Sequence, residues 1–186
     1  MIKKYYPFLI VFSVLFLDQS LKFWVKCNYA LGENIFNFGI LRFDFVENPG
    51  MAFGLSFGGL TSKYILGVFR LVAIFFIGKY LIKLVKTSAH WGFIILVSLI
   101  FAGALGNLLD NLFYGLIFDS GTTWNRVFEY WVGYNGVSTL FSGQYGGLLE
   151  GCVVDMLHFV FYWPSWTPFG LANEEVFPPV FNIADA

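Results

Sequence analysis

Residues 91–118 read WGFIILVSLIFAGALGNLLDNLFYGLIF, with no charged residue before Asp110. At 1.5 Å per residue this run is long enough to cross a bilayer core of roughly 30 Å. Gly103, Ala104 and Gly106 lie within it, and small residues let helix backbones approach closely in lipid. Asn107 and Asp110, spaced i and i+3, share one face near the far end of this helix.

Two more runs of the same kind flank the first. Residues 64–85 form a second expected span, with Arg70 early and Lys79 and Lys83 late. A short polar connection, residues 86–90, joins it to the third. Residues 5–25 form the first span. No small-x-small cleavage pattern follows it, so it does not read as a removable signal peptide. Composition agrees: 58 % of the 186 residues are hydrophobic and 12 % are charged, and the mean hydropathy is +0.69. A chain this apolar is expected to be a mainly α integral membrane protein, a single membrane-embedded domain over residues 1–186. Aromatic residues make up 22 %, which suits lipid-facing and interfacial surface. The net charge of −1 gives no reason to expect nucleic acid as a partner. Cys27 and Cys152 form neither a disulfide framework nor a C-x-x-C pair and read as isolated thiols.

Between the first two spans, residues 27–62 are rich in glycine and do not read as helix. Residues 41–45, LRFDF, alternate apolar and polar, as a short strand does. Asn48-Pro49-Gly50 is a turn signal, and residues 51–57 are expected to return as a second strand. A small sheet over about residues 35–58 is therefore expected at the membrane surface, as a platform that needs the helices for stability. Residues 119–186 read as a long irregular loop, with aromatic and proline-rich segments at 163–169 and 177–181 suited to headgroup depth.

Basic residues set the orientation. Lys3 and Lys4 flank one end of the first span, and Lys79, Lys83 and Lys86 surround the second connection. The positive-inside rule puts both on the cytoplasmic side, so the sheet and the long tail face outward. The tail's single Lys or Arg, Arg126, agrees. On this topology Asp18, Arg70 and Asp110 all fall in the outer half of the bilayer. They converge on one depth, which favours a site at the outer interface over a transport pathway. Asp18 and Lys22 are spaced i, i+4 and can pair, or Lys22 can snorkel to the interface. An acid inside a span is a functional candidate by default.

The closing stretch, residues 152–186, carries two more acids in apolar surroundings. Asp155 stands between Val154 and Met156, and Asp185 follows Asn182 and Ala184. Two carboxylates held close together in such surroundings resist ionising at once, the electrostatic arrangement that acid–base peptide hydrolysis with one bound water needs. H-E-x-x-H is absent from the sequence, which argues against zinc proteolysis.

Four stretches in order, Asp18-Gln19-Ser20-Leu21-Lys22, residues 47–54 (ENPGMAFG), residues 103–110 (GALGNLLD), and Val153-Val154-Asp155 with Phe181-Asn182-Ile183-Ala184-Asp185, resemble those of the lipoprotein signal peptidases, also called signal peptidase II. The resemblance covers nearly the whole chain. It implies an aspartic endopeptidase of the bacterial inner membrane, with the site facing the periplasm. The implied reaction removes signal peptides from prolipoproteins just before a diacylglyceryl-modified cysteine. It implies Asp155 and Asp185 as the catalytic pair, with Asp18, Lys22, Asn48, Asn107, Asp110, Asn182 and Ala184 shaping or supporting the site, and no cofactor or metal. Lipid-modified prolipoproteins, membrane lipids and the inhibitor globomycin are the implied partners. Two departures stand out. The family pattern has arginine after Asp110, where this chain has Asn111, so a charge that orients the site is expected from another position. The family also has a fourth span beginning near the second aspartate, whereas the sequence stops at Ala186. The alternatives are an inactive relic of such a peptidase that only binds membranes, and a small proton-coupled transporter using Asp18, Asp110 and Arg70.

Overall fold

The computed structural model describes residues 5–50 and 59–186. Lys3, Lys4 and the expected strand at 51–57 lie outside the described residues. Three helices carry the bundle: α1 (Tyr6–Asn28), α2 (Gly59–Lys86) and α3 (Trp91–Ile117). Each is long and apolar enough to cross a membrane. α3 packs against both α1 and α2 and is the most buried of the three, as its small residues allow. Gly78 of α2 faces the Phe101 ring of α3 at 3.0 Å from where a Cβ would stand, so the glycine admits the ring.

The small sheet has four antiparallel strands in the order β1-β2-β5-β6: β1 (Asn34–Asn37), β2 (Leu41–Asn48), β5 (Val153–Phe159) and β6 (Val180–Phe181). β1 and β2 pair across the tip at residues 38–40. The alternation of residues 41–45 fails at Val46, and the structure gives the cause. A bulge between Phe43 and Val46 lets consecutive residues Asp44 and Phe45 both be buried.

β5 corrects the expectation of a structureless tail. It pairs with β2 on one edge and β6 on the other, and α1 and α3 pack against it. Val153, Val154, Asp155 and Met156 are buried in succession. A strand covered on both faces shows no period-two pattern, so its sequence resembles any apolar run. The tail also holds a hairpin, β3 (Thr123–Asn125) and β4 (Tyr130–Val132). Its turn is made by Asn125, whose Oδ1 accepts from the backbone N–H of Val127 at 2.9 Å and Phe128 at 3.1 Å.

The end of the bundle beside the sheet is closed by a core of Val25, Phe45, Tyr114, Phe118, Val154 and Met156, drawn from α1, β2, β5, α3 and the residue that follows α3. Beside it Lys26 is fully buried against Glu47 of β2. Its Nζ also donates to the Ser120 carbonyl at 2.8 Å and lies about 5 Å from the rings of Phe118, Tyr134 and Tyr145. Glu47 Oε2 accepts the Thr122 N–H at 2.6 Å. This ion pair fastens residues 119–150 to the end of α1, so that long segment is anchored where composition suggested open loop.

Candidate active site

The face that α1 turns to α3 carries a buried ionic cluster. Lys22 is wholly buried, and its Nζ lies 2.9 Å from Asp18 Oδ2 and 2.7 Å from Asp110 Oδ2. It also donates to Asn107 Oδ1 at 2.9 Å. An ammonium has three donors, and here each has an oxygen. The alternative of a snorkelling Lys22 is thereby overturned: two carboxylates hold the charge inside, where burial would otherwise be costly. Gln19 bridges the same acids, donating to Asp110 Oδ1 at 2.8 Å and Asp18 Oδ2 at 3.1 Å. The Tyr114 hydroxyl donates to Gln19 Oε1 at 3.2 Å.

A second layer joins this cluster to the sheet. Asn182, fully buried just after β6, donates from Nδ2 to Asp155 Oδ1 at 2.6 Å and to Asn107 Oδ1 at 3.0 Å. Asn107 donates in turn to Asp185 Oδ1 at 2.7 Å. Asp155 and Asp185 are therefore linked by way of two amide side chains, one from α3 and one from the closing segment. The segment's backbone is fixed as well. The Asp185 N–H donates to Asn182 Oδ1 at 3.2 Å, and the Ala184 N–H donates to Asp18 Oδ1 at 3.1 Å.

Two glycines of α3 make room for that segment. A Cβ on Gly103 would collide with the Ala184 carbonyl oxygen. A Cβ on Gly106 would lie 2.8 Å from Asp18 Oδ2 and 3.4 Å from the Ala184 methyl. The small-residue run on α3 thus serves approach by the closing segment as well as helix packing.

The two acids sit in different surroundings. Asp155 is 3 % exposed, whereas Asp185 is at the exposed edge. Burial pushes the Asp155 carboxyl up to about 7, and the nearby charge of Asp185 adds to the rise, while Lys22 and the Asn182 hydrogen bond pull the other way. One buried carboxyl that keeps its proton near neutrality, beside a second that meets solvent, can act as an acid and a base toward one water.

Of the expected site residues, Asp18, Lys22, Asn107, Asp110, Asn182, Ala184, Asp155 and Asp185 meet in this one network. Asn48 lies at its border. It ends β2 opposite Val153, two residues along the strand from Asp155, and its Oδ1 accepts the Gly50 N–H at 2.9 Å. Gln19 and Tyr114 join this network and were not among the expected site residues. Tyr114 was open to detection, since it stands i+4 from Asp110 on the same helical face. Among the described residues no group of three or more His, Cys, Asp or Glu is placed to hold a metal ion. Cys27 and Cys152 are free thiols. Cys152 is buried between Lys63 Nζ at 3.3 Å and the Thr122 carbonyl at 3.2 Å, and burial pushes its thiol up to about 11.

Comparison with known proteins accords with this geometry. The family described as Signal peptidase (SPase) II matches residues 10–186. A lipoprotein signal peptidase of Porphyromonas gingivalis is 40 % identical over 184 residues, covering 95 % of this chain and 75 % of the relative. One from Amoebophilus asiaticus is 32 % identical, covering 100 % of this chain and 74 % of the relative. The fold is similar to that of a bacterial membrane enzyme solved by the in meso method, with a TM-score of 0.55 and 24 % identity over 97 % of this chain and 78 % of the other.

Proposed function

Because this chain belongs to the signal peptidase II family, a family of membrane peptidases, we propose that it is an aspartic endopeptidase whose acid pair is Asp155 and Asp185. Its substrates are prolipoproteins carrying a diacylglyceryl-modified cysteine, and the scissile bond is the one just before that cysteine. The enzyme sits in the bacterial inner membrane with the pair facing the periplasm. The neighbours on the bilayer side are membrane lipids, and globomycin blocks the site.

The observation that carries the proposal is the Asp155–Asn182–Asn107–Asp185 chain of hydrogen bonds, which brings two acids from distant parts of the sequence to one place. Asp155, buried and protonated near neutrality, is the acid. Asp185 is the base. Asp185 takes a proton from water as the water oxygen bonds to the scissile carbonyl carbon, and Asp155 gives its proton to the carbonyl oxygen. The proton on Asp185 then passes to the amide nitrogen, the C–N bond breaks, and Asp155 recovers its proton from the collapsing intermediate. Asn107 and Asn182 fix the two carboxyls in place. Asp18, Lys22 and Asp110 form the buried ionic support, with Ala184 seated on α3 and Asn48 holding the end of β2 beside Asp155.

The convergence of Asp18, Asp110 and Arg70 with this pair at one end of the bundle disfavours a proton-coupled transporter, which would need acids along a crossing. The test is cleavage of a diacylated precursor, followed by gel shift with and without globomycin. Asp155→Asn and Asp185→Asn each abolish cleavage while leaving membrane insertion intact. Normal turnover by either variant refutes the acid pair, whereas a wild-type chain that leaves the precursor uncleaved makes the membrane-binding relic the better account.

A further inference from the structure

The end of the bundle away from the acids holds a cavity that the active site does not use. Tyr6 precedes Lys22 by 16 residues on α1, roughly 24 Å at 1.5 Å per residue. There a cavity of about 810 Å³ opens between the start of α1 and the turn joining α2 to α3. Its walls include Tyr6 and Ile10 of α1, Val85 of α2, Ala89 of the turn, and Trp91 and Ile94 of α3. Val85, Ala89 and Ile94 also belong to the packed cluster around Leu81, Leu84 and Val97, so core packing holds one side of the cavity in shape. Tyr6 and Trp91 meet edge to face with ring centroids 5.8 Å apart, and both remain exposed. Such rings are at home where acyl chains meet headgroups. Ligand pockets span roughly 300–1,000 Å³, and these apolar walls suit a hydrocarbon chain.

The same end carries charge of one sign. Lys83 and Lys86, in the last turn of α2, are exposed. The sequence has no Asp or Glu before Asp18 and none from residue 48 to residue 109, so neither the start of α1 nor the α2–α3 turn offers these lysines an acid. The ion pairs among the described residues all lie elsewhere. Lys79, a turn deeper, is turned onto the Phe75 ring at 5.3 Å. Ser88, in the cavity wall, adds a hydroxyl with no hydrogen bond among the described residues. The neighbouring Thr87 hydroxyl, by contrast, is engaged by the Lys83 and Leu84 carbonyls. Apolar walls beside two ammonium groups and an open hydroxyl fit a molecule with an apolar tail and an anionic head.

We propose that this cavity binds an anionic phospholipid, with an acyl chain lying between the start of α1 and the start of α3 and the phosphate meeting Lys83, Lys86 and Ser88. This rests on the reading of membrane lipids as neighbours and names their class and place; it draws nothing from the acid pair. A zwitterionic lipid carries its own ammonium beside the phosphate and gains little from the lysines. Each basic group near an anionic surface contributes about fivefold, so two give a preference of about 30-fold at low ionic strength. Lys3 and Lys4 stand at the same end by sequence, but the site is assigned to Lys83 and Lys86.

The experiment uses Trp91 as the reporter, with the full chain in phosphatidylcholine nanodiscs. Fluorescence is quenched by a small fraction of phosphatidylglycerol brominated on its acyl chains, and separately by phosphatidylcholine brominated at the same positions. Subtracting the signal of Trp91→Phe removes the other tryptophans. Brominated phosphatidylglycerol should quench Trp91 at about 30-fold lower mole fraction than brominated phosphatidylcholine, and added salt should narrow the gap. Lys83→Gln with Lys86→Gln changes two exposed side chains and should bring the two lipids level. Equal quenching of the wild-type chain by both lipids overturns the choice of an anionic lipid, with lipids in general still neighbours. A preference that survives the double variant overturns the assignment to these lysines. A Trp91 that neither lipid quenches sinks the cavity as a lipid site altogether. Quenching needs no turnover, so none of these outcomes bears on Asp155 and Asp185.

Discussion

Replacing Asp155 by asparagine should stabilise the protein at neutral and alkaline pH while abolishing its activity. The asparagine Oδ1 can still accept the Asn182 Nδ2–H that Asp155 accepts at 2.6 Å, so the substitution resembles the protonated acid in shape and hydrogen bonding. What changes is charge. Folding raises the Asp155 carboxyl from 3.8 to about 7. At about 1.4 kcal/mol per unit, ionising it in place costs the folded state roughly 4 kcal/mol as an upper bound. The sign follows from the raised folded value. Stability is fully present at pH values below the unfolded carboxyl's range and is lost as pH rises through about 7. The amide of Asp155→Asn does not titrate, so the variant escapes that loss. Thermal unfolding of the detergent-solubilised chain at a series of pH values reads this directly. The variant's Tm should match wild type near pH 4, exceed it by several degrees near pH 8, and change fastest between the two. An offset that is the same at both ends refutes the claim that a buried charge is responsible.

Other outcomes follow from the same contacts. Gly103→Ala drives a methyl into the Ala184 carbonyl; it should displace the segment bearing Asp185 and lower kcat on the order of 100-fold, with helix content by circular dichroism unchanged. Lys22→Met leaves Asp18 and Asp110 facing each other without a cation and should cost about 3–5 kcal/mol, seen as a lowered Tm in the same detergent. Glu47→Gln removes the charge partner of Lys26 and should speed limited proteolysis within residues 119–150 several-fold over wild type. Cys152, buried and with its thiol pushed up to about 11, should resist maleimide in the folded protein at pH 7 and react on denaturation.

The three spans were legible because lipid imposes a rule that acts residue by residue: about twenty apolar side chains in a row, whatever lies elsewhere. The Asp18–Lys22 pairing was partly legible for a similar reason, since helical spacing alone puts both on one face. β2 was visible as far as its alternation ran, up to the bulge at residues 44–45. β5 was not visible, because a strand buried on both faces loses the period that marks a strand. The tethering of residues 119–150 was hidden too, since Lys26, Glu47 and Thr122 are neighbours only after folding.

The sequence by itself determined that this is a membrane protein with acids at one depth, because hydropathy and helical period are local properties. Only the tertiary structure decided which groups work together. Asn182 and Asn107 join Asp155 to Asp185, Gly103 and Gly106 admit Ala184, and Arg70 reaches across from α2 to Asn111. Hydrogen bonds and charges act over a few ångströms of space, and distance along the chain gives no measure of that space.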